Sequence, residues 1–451
     1  MLCMAATIGA CSMKDKNASS AGDTTAVASA PAMAPSAAPA AAPGTPDSEM
    51  QAVLDQLGAL NGKPIATLDA AEARKQPTPT DAVKQLLTKQ GKPTTPPPGA
   101  TMTGACTMKG KDASVADSVG VAATPVATPS MADGTKPDSA MQAVLDELAA
   151  LNGKPIATLD AAEARKQPTP TDAVKQLLTK QGTPTTPPPG ATLSTRSVSG
   201  AAGQLQANIY TPDGAGPFPV VVYYHGGGWV IANKDVYDGG ARALAINATA
   251  IVVSADYRNA PEHKFPAAHD DALAVYEWAL KNAPSIKGDP KKVALAGESA
   301  GGNLAVATAI AAKAKGLQAP LAVISVYPIA GRDTTTPSYT EQANAKPLNR
   351  AMMSWFFDKY QRTPADGQDP RINLIGANLS GLPPVTIINA YIDPLRSDGE
   401  MLAARIKAAG GMVEQKTYGG VTHEFFGMGA VHPKARDAES YAADALKKAF
   451  Q

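Results

Sequence analysis

Lys292-Val293-Ala294-Leu295-Ala296-Gly297-Glu298-Ser299-Ala300-Gly301 is the stretch on which the reading of this chain turns. An apolar, β-like run enters it, and an Ala-rich helical run from Gly302 to Lys315 leaves it. Strand, sharp turn and helix are the setting in which G-x-S-x-G forms a nucleophile elbow. Glycines two residues to either side of Ser299 let the chain turn tightly, because no Cβ strikes the neighbouring backbone. Such a turn lifts the Ser299 hydroxyl above a sheet, at the positive end of the following helix. Small Gly/Ser turns are common, so these five letters decide little by themselves. The rest of the chain must supply a base, an acid and oxyanion donors in a workable order.

Composition locates the domain that could do so. The first aromatic residue of the 451 is Tyr210, and all three cysteines, Cys3, Cys11 and Cys106, precede it. The N-terminal part is mostly Ala, Pro, Thr, Ser, Lys and Asp, and much of it cannot bury enough apolar surface to offset ordering entropy. The sequence thus predicts one large α/β catalytic domain over 194–451, free of disulfide, thiol or cysteine-metal chemistry. A net charge of +1 gives no argument for nucleic acid as a partner. The chain also lacks an apolar run of the ~18 residues that span a bilayer.

Residues 1–45 read as a signal-like segment followed by an Ala/Pro-rich linker. Ile8-Gly9-Ala10-Cys11 resembles a lipobox, whose cysteine would carry a lipid anchor, but no Lys or Arg precedes it. Two readings compete: a lipoprotein, periplasmic or membrane-anchored, whose start lies upstream, or a short apolar N-terminus with no targeting role and a cytoplasmic protein. Residues 46–102 then recur as 137–193 with five substitutions, separated by a linker over 103–136. Solenoid repeats diverge and come in larger numbers, so two near-identical copies read as a recent duplication. In the second copy Met141, Val144, Leu145, Leu148 and Leu151 follow helical spacing, up to Asn152-Gly153. Asp160 with Glu163 predicts a capped second helix, and Asp172–Gln181 a third. These faces are apolar but lack aromatics, so they need a surface to cover.

From Thr195 onward strands and helices alternate. Strands are predicted at Leu205–Tyr210, Pro219–Tyr224, Ala250–Ala255, Leu321–Tyr327, Val385–Ala390 and Val413–Tyr418, besides the one entering the Ser299 turn. Helices are predicted at Ala267–Lys281, Gly399–Ala409 and Ala435–Phe450. This alternation means a mostly parallel sheet flanked by helices on both faces. Residues 332–362 interrupt it with a polar stretch and then Met352, Met353, Trp355, Phe356 and Phe357, as a lid or pocket insertion would.

A serine hydroxyl needs a base, usually a histidine held by a carboxylate. Of the five histidines, His423 follows the last strand, at the sheet end where open α/β sheets place ligands. His432 reads as a solvated helix cap; His263 and His269 precede the serine, against the order Ser, acid, His. Between Ser299 and His423, Asp393 follows a strand and is turned away from it by Pro394. Asp398 reads instead as the N-cap of the next helix. Oxyanion donors are available from Ala300 at the helix start and from His225-Gly226-Gly227-Gly228-Trp229, with His225 a structural partner of that loop. No phosphate-binding pattern accompanies these glycines.

With those motifs in hand, the chain from about Gln142 to its end resembles the hormone-sensitive-lipase-like branch of the α/β-hydrolases, the bacterial family IV esterases. The resemblance rests on His225-Gly226-Gly227-Gly228-Trp229, Asp256-Tyr257-Arg258-Asn259-Ala260-Pro261-Glu262 with Phe265-Pro266-Ala267, Gly297-Glu298-Ser299-Ala300-Gly301-Gly302, Asp393-Pro394-Leu395 and His423-Glu424-Phe425. It implies an α/β-hydrolase fold with a helical cap built from the Met141–Gln181 helices and the Met352–Phe357 segment. It implies Ser299 as nucleophile, His423 as base, Asp393 as acid, and an oxyanion hole at Gly226, Gly227, Gly228 and Ala300. No metal or organic cofactor is implied, and the partner is a small-molecule ester of short to medium acyl chain. Glu298 stands where Asp is commoner and Asn259 where Leu is frequent, and the tandem extra copy is foreign to the family pattern. A lactonase, amidase or deacetylase on the same triad is the rival enzyme reading. A non-catalytic small-molecule receptor is the rival outside enzymes.

Overall fold

A computed structural model of the chain describes residues 134–451. The expectations for 1–45, for the first repeat copy at 46–102 and for nearly all of the 103–136 linker lie outside the described residues. In chain order the described elements are α1 (Ser139–Ala150), α2 (Ala161–Ala164), α3 (Pro170–Lys180), β1 (Ala191–Gly200), β2 (Gly203–Pro212), β3 (Phe218–Tyr224), α4 (Asp238–Ala248), β4 (Ile251–Ala255), α5 (Ala267–Asn282), β5 (Gly288–Glu298), α6 (Ala300–Ala314), β6 (Val323–Val326), α7 (Pro337–Glu341), α8 (Arg350–Tyr360), β7 (Val385–Ile392), α9 (Arg396–Ala408), β8 (Val413–Thr422) and α10 (Pro433–Phe450).

The eight strands form one sheet in the order β1-β2-β4-β3-β5-β6-β7-β8. The β1–β2 and β2–β4 pairs are antiparallel; the other pairings are parallel. Successive side chains of a strand face opposite ways, so a strand buried on both faces feeds two cores. In β3, Val220, Val222 and Tyr224 enter one core with Leu304 and Ala305 of α6 and Val275 and Tyr276 of α5. Val221 and Tyr223 enter the other, with Leu244 and Ala245 of α4 and Ala442 and Leu446 of α10.

The repeat helices find the surface they needed. Met141, Val144, Ala173, Val174 and Leu178 are buried in the core that contains α4 and α10, whereas Ala161 and Ala164 join the opposite core. Asp160 caps α2 by accepting from the Glu163 N–H at 2.8 Å. At α3 Thr169 and Asp172 cap each other reciprocally.

Several expectations need correction. β1 had no counterpart in the sequence reading, and it begins inside the repeat copy assigned to 137–193. Its residues are mostly polar, only Val198 is buried, and it lies on the sheet edge, so it carries no sustained apolar alternation to detect. Helix α4 had no counterpart for a related reason: six of its eleven residues are Gly or Ala, which give a weak period. Asp398 is not an N-cap. It lies inside the first turn of α9, fully buried, and its carboxylate accepts from the N–H groups of Ala330 and Gly331 at 2.9 and 3.1 Å. His432 does cap α10, but it is not solvated. It is buried, with Nδ1 accepting from the Lys434 N–H and Nε2 at 3.0 Å from Asp138. Gly419–Thr422 continues β8 rather than opening a loop.

Candidate active site

The Ser299 turn is a sharp joint between β5 and α6. Ser299 adopts φ +57° and ψ −117°, outside the regions open to an L-residue without strain. Such a residue costs on the order of 1–3 kcal/mol and persists only where its surroundings over-determine it. The surroundings do so here: the Ser299 N–H donates to Val326 O at 2.9 Å, and its carbonyl accepts from Asn303 and Ile329. Gly301 is required because a Cβ there would strike the Tyr224 and His225 carbonyls. Ser299, a buried residue, sits at the C-terminal edge of the sheet.

The C-terminal ends of β7 and β8 bring two more groups to it. His423 lies one residue beyond β8, with Nε2 3.0 Å from Ser299 Oγ and Nδ1 2.6 Å from Asp393 Oδ2. Asp393 is fully buried one residue beyond β7, and its other oxygen accepts the Leu395 N–H at 2.8 Å. Burial pulls the His423 ring down in pKa, but Asp393, Glu424 and Glu298 outweigh it, so the net shift is upward. The ring is therefore disposed to accept and keep a proton.

Gly227 and Gly228 lie on the opposite side, in the turn after β3, both with positive φ (+96° and +59°). Among the described residues the N–H groups of Gly227, Gly228 and Ala300 donate to no acceptor. The Gly226 N–H likewise donates to no acceptor among the described residues, but its carbonyl is engaged by Tyr257 Oη at 3.2 Å and lies 2.8 Å from His225 Nδ1, and Gly226 does not line the cavity. His225 is buried and stacked on Tyr257, ring centroids 4.2 Å apart, and Tyr257 also donates to the His225 carbonyl. The Asp256–Glu262 motif is thus a brace behind the glycine turn. Trp229, at the end of that turn, stacks on Tyr360 of α8.

Ser299, His423, Gly227 and Gly228 open into a cavity of about 790 Å³. Leu145, Leu148 and Ile156 of the second repeat copy line it, with Leu348, Met352 and Phe356 around α8. Lys154, Arg165, Lys346 and Glu424 contribute charge.

The sequence reading missed three parts of this arrangement. Glu298, taken as a neutral departure, is buried and accepts hydrogen bonds from both Tyr223 and Tyr327. Burial pushes its carboxyl up to about 7, against those two hydrogen bonds. Arg165 of the segment after α2 donates to Val230 O at 2.8 Å and Ala260 O at 2.7 Å and pairs with Glu262. Glu424, next to His423, accepts from Tyr237 at 2.6 Å and sits 4.0 Å from His423 Nε2. Glu298 and Glu424 were findable, since each sits inside a quoted motif; Arg165 depends on contacts 65 to 97 residues away.

The family described as alpha/beta hydrolase fold matches residues 221–427. Carboxylesterase NlhH of Mycobacterium tuberculosis is 40% identical over 236 residues, covering 51% of this chain and 74% of that protein. The ethyl acetate hydrolase of Pseudomonas putida is 32% identical over 250 residues, covering 54% and 78%. Among solved structures, a Pyrobaculum calidifontis esterase aligns with a TM-score of 0.63 and 34% identity, covering 70% of this chain and all of that one. Both the likeness and the strand–turn–helix setting of Ser299 lead to one placement. The chain belongs to the α/β-hydrolase fold family, in its hormone-sensitive-lipase-like esterase branch.

Proposed function

We propose that this protein is a serine carboxylesterase that hydrolyses small acyl esters through an acyl-enzyme, with Ser299, His423 and Asp393 as its triad. The observation that carries the reading is the pair of hydrogen bonds through His423, 3.0 Å to Ser299 Oγ and 2.6 Å to Asp393. In this mechanism His423 Nε2 takes the hydroxyl proton as Ser299 Oγ attacks the ester carbonyl carbon. The carbonyl electron pair moves onto oxygen, and the N–H groups of Gly227, Gly228 and Ala300 receive the negative charge. Collapse of the intermediate breaks the bond to the alcohol oxygen, which takes the proton from His423. Water then enters, gives a proton to His423 and attacks the acyl carbon; collapse returns the proton to Ser299 and releases the carboxylic acid. Asp393 holds the ring in the tautomer that leaves Nε2 free to accept.

The second repeat copy and the region around α8 act as the cap over the acyl pocket. A cavity of about 790 Å³ with an aliphatic wall favours short to medium acyl chains over long ones. Gly226 serves the oxyanion hole indirectly, by fixing the turn. The direct test is p-nitrophenyl acetate and butyrate turnover by the wild type and by Ser299→Ala. Loss of at least about 10³-fold in kcat is expected; equal turnover by the two proteins refutes the serine mechanism.

A further inference from the structure

We propose that Glu424 is a specificity-determining residue that makes the leaving-alcohol end of the site select cationic over anionic alcohols; this rests on the serine-esterase reading above. The residue is placed for it by an unusual backbone, φ +71°, in a region that L-residues rarely adopt. That conformation directs the side chain toward the reactive atoms. One carboxylate oxygen lies 4.0 Å from His423 Nε2, the nitrogen that protonates the departing alcohol. The same oxygen accepts from Tyr237 Oη at 2.6 Å; the other oxygen accepts no hydrogen bond from the described residues. Glu424 therefore brings a negative charge whose hydrogen-bonded partner is a neutral phenol, beside the bond that breaks. Burial raises the Glu424 carboxyl above the ordinary glutamate value, while His423 and the Tyr237 hydroxyl pull the other way.

Reach supports the assignment. The departing oxygen must come within about 3 Å of Nε2 to take its proton, so it lies no more than about 7 Å from the near Glu424 oxygen. A two-carbon spacer carries an ammonium group roughly 4 Å beyond that oxygen, which spans the interval. The cavity's cations do not cancel the effect. Lys154 and Lys346 are exposed and screened by solvent, and Arg165 is committed to Glu262 and two carbonyls. The Glu424 side chain is only 22% exposed, so its field is the less screened one.

The test uses the full chain and three acetate esters: acetylcholine, its uncharged isostere 3,3-dimethylbutyl acetate, and the anionic acetoxyacetate. Each is followed by pH-stat at pH 8.5 and low ionic strength, with Ser299→Ala as the blank. Selectivity is read as ratios of kcat/KM in wild type against Glu424→Gln and Glu424→Gly, so intrinsic leaving-group reactivity and any general loss cancel. Gln keeps an acceptor for Tyr237, and Gly tolerates the positive φ. We expect the cation-to-neutral ratio to fall about tenfold and the anion-to-neutral ratio to rise comparably in both variants, with the wild-type preference weakening as salt is added. Unchanged ratios, with Ser299-dependent turnover of the neutral ester intact in the wild type, overturn the role of Glu424 alone. Absence of any Ser299-dependent turnover overturns the esterase reading and this inference together.

Discussion

Replacing Gly227 with alanine isolates the contribution of the glycine turn. At φ +96° an L-residue costs about 1–2 kcal/mol relative to glycine. The added methyl would also sit 2.8 Å from the Ile231 carbonyl carbon, closer still to its oxygen, and 3.0 Å from Ala232 Cβ. These are backbone and Cβ atoms, and no rotamer change moves them aside. Relief has to open the turn closed by the Ile231 N–H to Gly227 O bond of 2.9 Å, at about 0.5–1.5 kcal/mol more. The stability loss is then about 1.5–3.5 kcal/mol, within the range a folded domain survives. The kinetic loss should be larger, because opening the turn withdraws the Gly227 N–H and disturbs that of Gly228. Loss of one oxyanion donor costs about 10²–10³ in kcat. The assay is p-nitrophenyl butyrate turnover at 25 °C, with thermal melts to establish that the variant is folded. Gly316→Ala supplies the control: φ is +66° there, but nothing lies within 4 Å of the added methyl. It should lose stability and keep its kcat. A folded Gly227→Ala protein with kcat within threefold of wild type would refute the oxyanion assignment.

Three further outcomes are expected. Asp393→Asn should lower kcat by about 10⁴. It should also move the rising limb of the pH–rate profile to lower pH, because Asp393 is the largest influence holding the His423 pKa up against burial; an unmoved limb counts against that ion pair. Thermal stability should decline from pH 5 toward pH 8. Burial raises Glu298 to about 7 and Asp398 and Glu439 to about 8, so the stability their protonated forms contribute is lost as pH rises through those values. Glu439→Gln keeps an acceptor for the Gly429 N–H and should flatten that decline by several kcal/mol, on the order of 10 °C in Tm; a parallel curve would be the contrary result. Finally, removal of residues 1–133 spares every described contact, including the Gly420 N–H to Gly134 O bond of 2.8 Å, and should leave kcat/KM within twofold. Removal through residue 181 strips α1–α3 from the cavity wall and should depress both activity and stability; the opposite pattern would assign the cap to residues 46–102.

The legible parts of this protein were those in which a short stretch carries its own cause. The elbow reads from local spacing because a strand, two flanking glycines and a helix are all in sequence contact with Ser299. β3, β5 and β7 were legible as apolar runs and β8 as an alternating one, and the proposed site residues lie within four residues past one of those strands. What escaped depends on distance or on weak periods. The polar edge strand β1 is held by pairing with β2 over ten register positions, not by burial. Asp398 looked like a cap because Asp before a helix usually is one; two backbone N–H groups nearly seventy residues upstream claim it instead. Tyr223, Tyr237 and Tyr327 look like core aromatics in the sequence, and only the fold turns their hydroxyls toward Glu298 and Glu424.

The three-way grip of Arg165 has a consequence for re-engineering this chain. One side chain from the helical segment at 137–193 grasps the main chain at Val230, two residues past the glycine turn, and at Ala260 of the neighbouring loop. The cavity wall supplied by this segment and the glycine turn are therefore linked through one side chain. A graft that exchanges residues 137–193 for a foreign lid, in order to change substrate range, would leave two carbonyls without their donor. It would slacken the turn even if the new lid packed well. A transplantable lid for this scaffold keeps an arginine at the position of Arg165, because its carboxylate partner Glu262 stays behind in the scaffold.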